Sequence, residues 1–295
     1  MKTYIECLPC FLNQAIKVLK LSVSDSQVQE KAVKEVMKMF SEIDLDKKPP
    51  EFARLVYEKI SDITGIEDPY EGIKKRDNEH ALSLAPMLKN TMRDSKDSLL
   101  TAVKAAIAGN IMDFAANSDY NLRETINRIL KEDFAINDYG KFKKDVMDAK
   151  VIAYFADNSG EIVIDRLLVE KIRTLNKECI IHFFVKAKPI INDATMTDAD
   201  AVGLSCLKYV EIKTLDGEFL SKSAKYMESV NYLKSVDMVI SKGQGNYERL
   251  SDIDANIYFL LIAKCAVIAR DLNVGLMTPV LKCNKSENCG QKRSN

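Results

Sequence analysis

The sequence predicts an α/β protein in which a helical N-terminal part packs on a doubly wound, mostly parallel, Rossmann-like sheet. Three observations predict it. Apolar residues recur at three- and four-residue spacing through the first half of the chain, as amphipathic helices require. From residue 150 onward short, near-continuous apolar runs take over, as in strands buried on both faces of a parallel sheet. Helical patterns fall between those runs, and this alternation is the α/β signature.

The elements follow in order. Helices are expected near residues 7–21, 25–42, 50–63, 71–92, 96–117 and 121–132. Asp68-Pro69 punctuates the pattern, and the Ala-rich run from Leu99 to Ala108 suits a closely packed central helix. Val151-Ile152-Ala153-Tyr154-Phe155-Ala156 reads as the first strand and Cys179 to Val185 as the second. Tyr209-Val210-Glu211-Ile212, Val236 to Ile240 and Tyr258 to Ile262 follow, with helices near 161–175, 195–202 and 218–234 between them. The division is a helical domain over 1–148 and an α/β domain over 149–295.

Bulk properties bound the function. The chain has 295 residues, 46% of them hydrophobic and 29% charged, an ordinary globular composition with ample length for a core. Lysine and arginine total 43, as do aspartate and glutamate. That balance offers no general attraction to nucleic acid or an anionic membrane, so any phosphate recognition must be local. Glu6 interrupts the first apolar stretch, no signal-peptide core follows, and no run reaches the length of a membrane helix. The expected location is the cytoplasm, where seven cysteines, an odd number, remain mostly thiols.

In an open parallel sheet, ligands bind beyond the carboxyl ends of the strands. The first strand runs into Asp157-Asn158-Ser159-Gly160-Glu161, the second into Lys186 to Asp193, and the strand ending at Ile240 into Ser241-Lys242-Gly243-Gln244-Gly245-Asn246-Tyr247-Glu248. Asp157, Asn158, Asp193, Glu161 and Asn192 supply hard oxygen donors suited to Mg²⁺ or Mn²⁺. Lys242 and the backbone freed by Gly160, Gly243 and Gly245 supply an anion cradle, with a helix N-terminus near Glu161. A metal beside an anion cradle is the equipment of phosphoryl chemistry. Taken alone, Asp-Asn-Ser-Gly also fits a strand-to-helix turn with a capping Asp, and the lysine-glycine loop does not have Walker spacing.

At these residues the sequence resembles the damage-control phosphatase family, formerly a domain of unknown function and ARMT-like, in its stand-alone prokaryotic branch. The matching pieces span nearly the whole chain: Tyr4-Ile5-Glu6-Cys7-Leu8-Pro9-Cys10, Ala108-Gly109-Asn110-Ile111-Met112-Asp113, Ala156 to Val163, Pro189 to Thr195, Ser241 to Glu248, and Lys264-Cys265. Some relatives have Ala where Ser159 stands. The resemblance implies metal-dependent hydrolysis of small phosphorylated metabolites in metabolite repair, such as sugar phosphates or phosphopantetheine derivatives. It implies a divalent ion (Mg, Mn, Co or Ni) on Asp157, Asn158 and Asp193, phosphate contact by Lys242, and Asn110 and Asp113 facing the site. Asn110 and Asp113 stand at i and i+3, so a helix would present them together. Glu161, Gly243 and Asn246 complete the expected substrate-binding set.

Cys7 and Cys10 form a C-x-x-C pair, a candidate secondary thiol site for metal or redox chemistry; packing as small hydrophobes is the competing reading. His80 and His182 are too scattered to form a catalytic pair, and His182 is expected in the core. Two rival functions remain. One is an S-adenosylmethionine-dependent carboxyl methyltransferase, a role also proposed within the extended family; Asp157 and Asn158 stand where its glycine loop would be. The other is a non-enzymatic metal-binding protein. Ser159 also removes the Asp-x-Asp arrangement of aspartyl-phosphate phosphatases.

Overall fold

The protein is described by a computed structural model covering residues 1–111, 122–216, 219 and 225–285. Among the described residues its sheet has seven strands, which run in chain order as β1 (Ile136–Asn137), β2 (Val151–Phe155), β3 (Ile180–Lys186), β4 (Val210–Leu215), β5 (Met238–Lys242), β6 (Ile257–Ile262) and β7 (Pro279–Cys283). Their spatial order is β1-β7-β6-β5-β2-β3-β4. The block from β6 to β4 is parallel throughout, β7 lies antiparallel on β6, and β1 pairs parallel with β7. Chain order reverses between β2 and β5, which makes the carboxyl ends of those two strands the topological switch point.

Strand residues divide by the two-residue period of extended chain. Ile152 and Tyr154 of β2 belong to one buried cluster, together with Ile240, Tyr258 and Leu260. Ala153 and Phe155 belong to the other, together with Val239, Phe259 and Leu261. Every residue of β5 and β6 is buried, so both faces of the sheet are covered, as the continuous apolar runs required.

The helices supply the covering layers. Among the described residues, seven are N-terminal to β2: α1 (Cys7–Ser22), α2 (Ser26–Ser41), α3 (Pro49–Thr64), α4 (Glu71–Asp94), α5 (Ser98–Gly109), α6 (Leu122–Lys131) and α7 (Tyr139–Asp148). α8 (Glu161–Leu175), α9 (Met196–Ala201), α10 (Tyr226–Ser235), α11 (Gly243–Leu250) and α12 (Ala266–Leu272) lie between or after the strands. Leu88, Val103, Ile126 and Phe142 from α4 to α7 share one cluster with α8 and the sheet. Phe11, Val36, Phe52 and Ile60 close a separate small core among α1, α2 and α3. The division expected at residue 148 thus runs through a shared core.

The differences from expectation have local causes. β7 begins on Pro279, and a five-residue run opened by proline reads as a tail; it is tolerated because proline needs no ladder donor at a strand's first position. α11 replaces an expected loop. Two glycines in its first three residues lower helix propensity, but Gly243 adopts φ +76° where the chain must turn tightly, and packing carries the rest. The helix expected over 96–117 ends at Gly109, with 112–121 outside the described residues. His182 is half-buried rather than core, bonded to the Tyr232 hydroxyl at 2.7 Å. Among the described residues no helix is long and apolar enough to cross a membrane.

Candidate active site

The site grows from three strand ends. After β2 the chain enters Asp157-Asn158-Ser159 and turns into α8 through Gly160, at φ +70°. After β3 it loops back so that Asp193 faces Asn158 in an isolated antiparallel bridge. Two backbone bonds lock that bridge: Ala194 N–H donates to Asp157 O, and Ser159 N–H to Asn192 O, both at 2.8 Å. The loops that carry Asp157 and Asp193, 36 positions apart by number, are thereby joined, and each aspartate is half-buried. After β5, Gly243 opens α11 directly against Asp157. A Cβ on Gly243 would stand 1.8 Å from Asp157 Oδ2, so only glycine fits.

The oxygen atoms are oriented from behind. Asn158 Nδ2 donates to Asp157 Oδ2 at 2.9 Å and to Glu161 Oε2 at 3.0 Å. Both of its hydrogens are then used, and its Oδ1 is left as an acceptor. Asn110, at the C-terminus of α5, donates to the same Asp157 oxygen at 2.9 Å and to Glu161 at 3.0 Å. Asn110 Oδ1 is buried with no hydrogen-bond partner, an acceptor that a hard cation or its water would satisfy. Among the described residues no three His, Cys, Asp or Glu side chains cluster as a metal group. The candidate donors are instead two carboxylates, Asp157 and Asp193, with the amide oxygens of Asn158 and Asn110 nearby, and hard oxygen donors of this kind suit Mg²⁺ or Mn²⁺ rather than a thiol- or imidazole-preferring ion.

Lys242 occupies a different place from the one expected. Its side chain is fully buried, and its ammonium donates to Glu161 Oε1 at 2.6 Å, Asp165 Oδ1 at 2.6 Å and Ala106 O at 2.9 Å. Three donors meet three acceptors, which leaves none for phosphate. Burial alone would depress its pKa, but Asp165 and Glu161 outweigh that and hold it above the ordinary lysine value. Burial pushes the Asp165 carboxyl up to about 7, against the pull of Lys242. Tyr154 donates to Asp165 at 2.8 Å and closes the chain of contacts.

Lys186, the last residue of β3, is a cation that does face the candidate ligands, and the Arg249 guanidinium also interacts with Asp193. The Lys186 Nζ lies 3.5 Å from Asp193 Oδ2, an ion pair with hydrogen-bond character. Burial lowers its pKa, opposed by Asp193 and Asp157.

Other expected residues separate by role. Glu161 is buried behind the ligands, bonded to Asn110, Asn158 and Lys242. Asn246 spends its amide on Ala156 O and Lys242 O, bracing β2 against β5. The buried Asn110, Glu161 and Asn246 thus hold Asp157 and the loops around it. Asp113 lies outside the described residues. Cys7 and Cys10 sit in the first turn of α1; burial raises the Cys7 thiol pKa, which makes it less nucleophilic.

Four residues of the site region escaped the sequence reading. Lys186 was signalled by its place at a strand end, and Asp165 by its i+4 spacing from Glu161. Asn78 on α4 and Asp198 on α9 carried no local signal; they meet only through the fold.

Comparisons with known proteins bear on the family and the fold. The profile of the damage-control phosphatase ARMT1-like domain matches residues 3–280. The chain is 35% identical to a damage-control phosphatase of Pyrococcus horikoshii, over 93% of this chain and 95% of that one. It is 30% identical to a damage-control phosphatase of Archaeoglobus fulgidus, over 96% and 99%. A crystal structure of a DUF89 family protein from Pyrococcus horikoshii superposes with a TM-score of 0.84 at 32% identity, covering 97% of this chain and 100% of that one. On the match of profile, relatives and fold together, the chain belongs to the damage-control phosphatase ARMT1-like family.

Proposed function

We propose that the protein is a metal-dependent phosphatase that hydrolyses phosphate monoesters of small metabolites, sugar phosphates or related surplus or damaged compounds. The observation that carries this reading is the bridge that seats Asp193 across from Asn158, beside Asp157, at the switch point of the sheet. Asp157, Asn158 and Asp193 would hold the ion, which is Mg, Mn, Co or Ni. When bound, such an ion supplies Lewis acidity and an activated water. Everything else follows from the chain's own groups. Asn110 and Asn158 fix the Asp157 carboxylate, and Glu161 anchors both amides. Lys242, held by Asp165, anchors Glu161 and acts as a positioning residue. Lys186 takes the phosphate-binding role: a divalent ion with two carboxylates is neutral, so the nearby ammonium gives the site the net positive charge that a phosphate dianion needs. The first turn of α11 adds amides without intrahelical partners.

Phosphate release from p-nitrophenyl phosphate and a panel of sugar phosphates, measured with each divalent ion and after EDTA, tests the reading. Turnover that needs a divalent ion is expected. Asp157→Ala and Asp193→Ala should each lower it at least about a hundredfold, in keeping with loss of a major electrostatic contributor. Lys186→Met should raise KM more than it lowers kcat. No ester cleaved with any ion, or full activity in either aspartate variant, would refute it.

A further inference from the structure

The two ligand-bearing loops are also tied together through α4 and α9. Asn78 of α4 is buried, and its Oδ1 accepts from Gly160 N–H at 2.6 Å. Its Nδ2 donates to Asp198 Oδ1 at 2.8 Å. The other Asp198 oxygen accepts from both the backbone N–H and the hydroxyl of Thr195, each at 2.8 Å. Lys74, one turn before Asn78, is buried as well, with its Nζ 2.6 Å from Asp68 and 3.8 Å from Asp198. One end of this network therefore grips Gly160, two residues after Asn158. The other grips Thr195, two residues after Asp193. The bonds of Asn78 and Asp198 described here run to Gly160 and Thr195 and to each other, each one step removed from the candidate ligands.

We propose that Asn78 and Asp198 form a clasp that sets the spacing of the Asp157–Asn158 loop and the Asp193 loop, and so tunes the affinity of the site for its divalent ion. The proposal rests on the metal reading above for its consequence and on geometry for its mechanism. The Gly160 N–H lies at the mouth of the turn into α8, and the Asn78 bond both satisfies this buried donor and fixes the turn's position. Thr195 caps α9 through the reciprocal bonds with Asp198, so loosening Asp198 frees the segment next to Asp193. Partners that orient metal ligands at one remove commonly change metal affinity by about 10–100-fold when lost. The clasp differs from such partners in holding backbone, not ligand side chains.

The chemistry of the pair permits a swap. Asn78→Asp sets two carboxylates against each other, and Asp198→Asn sets two amides against each other unless the Thr195 cap is given up. The double variant Asn78→Asp/Asp198→Asn restores one donor between acceptors: residue 78 can still accept from Gly160, and residue 198 can still accept from Thr195. Lys74 remains within reach of the relocated charge at i+4. Two measurements on full-length protein test the clasp: Mn²⁺ binding by calorimetry, and hydrogen exchange of peptides spanning 156–162 and 190–196. Each single variant is expected to weaken Mn²⁺ binding by about 10–100-fold and to speed exchange in both segments, and the double variant to recover both. Unchanged binding and exchange in the single variants, or a double variant no better than either single, overturns the clasp. If the wild-type protein binds no divalent ion, the functional reading falls, and the exchange pattern alone still decides whether the clasp holds the loops.

Discussion

At the scale of single residues, the buried charges around Lys242 carry the sharpest consequence. One ammonium faces two carboxylates, all fully buried, so with every group ionised the cluster holds one excess negative charge. Asp165 bears the penalty, because burial pushes its carboxyl up to about 7, whereas an unfolded chain would titrate it near the ordinary aspartate value. The sign follows from linkage. Between those two pKa values the folded protein binds a proton that the unfolded chain does not, so acidification from about pH 7 toward pH 4 stabilises the fold through this group, and rising pH withdraws that contribution. Asp165→Asn keeps an acceptor for Lys242 but cannot titrate. Urea denaturation at pH 5 and pH 8 should show a smaller stability difference in Asp165→Asn than in the wild-type protein. An identical difference would mean that Asp165 is ionised throughout.

At the scale of elements, the site depends on how closely helices approach. α5 reaches α8 at Gly109, where an added Cβ would lie 3.1 Å from Ile164 Cδ1 and 3.4 Å from Glu161 Cγ. The first neighbour is the tip of a flexible side chain, so Gly109→Ala can be absorbed by a small shift. Gly109→Val cannot, and overpacking of this kind costs about 1–3 kcal/mol. Asn110 follows directly, so pushing α5 from α8 also draws its amide away from Asp157. Thermal melts and phosphatase assays on both variants check this: near-normal behaviour is expected for Ala, with lower stability and a disproportionate loss of turnover for Val. This close approach shows where sequence reading stops. Asp157 and Asp193 were legible because each follows an apolar strand run, and the strand-end rule needs only the order of elements; Lys186 stands at such an end too but was passed over. The burial of Lys242 was not legible, because it depends on Asp165 and Ala106 arriving from two helices. Asn78 and Asp198 were less legible still, being polar helix residues 120 positions apart with no period or motif. β7 and α11 were missed because proline and glycine outvoted packing that only the finished sheet provides.

At the scale of the whole molecule, the candidate ligands join parts that sequence keeps far apart. Asp157 and Asn158 follow β2, Asp193 follows β3, and their support comes from α4, α5, α8 and β5. α3 packs on α11, and Lys48 donates to Arg249 O at 2.7 Å, so the small N-terminal core is joined to the same helix that opens at Gly243 beside Asp157. An ion bound at this junction bridges loops that separate on unfolding, so it binds the folded state and stabilises it by mass action. At a concentration a hundred times its dissociation constant, the gain is about 2.7 kcal/mol. For a chain of this size, one kcal/mol raises Tm by about 2 °C, so a rise of roughly 5 °C is expected. Scanning calorimetry with Mn²⁺ or Mg²⁺, then with excess EDTA, measures it directly. The rise should reverse with EDTA and vanish in Asp157→Ala and Asp193→Ala. A rise that persists in both aspartate variants would locate the binding elsewhere, since a junction stripped of either carboxylate has lost half the negative charge that holds the ion there.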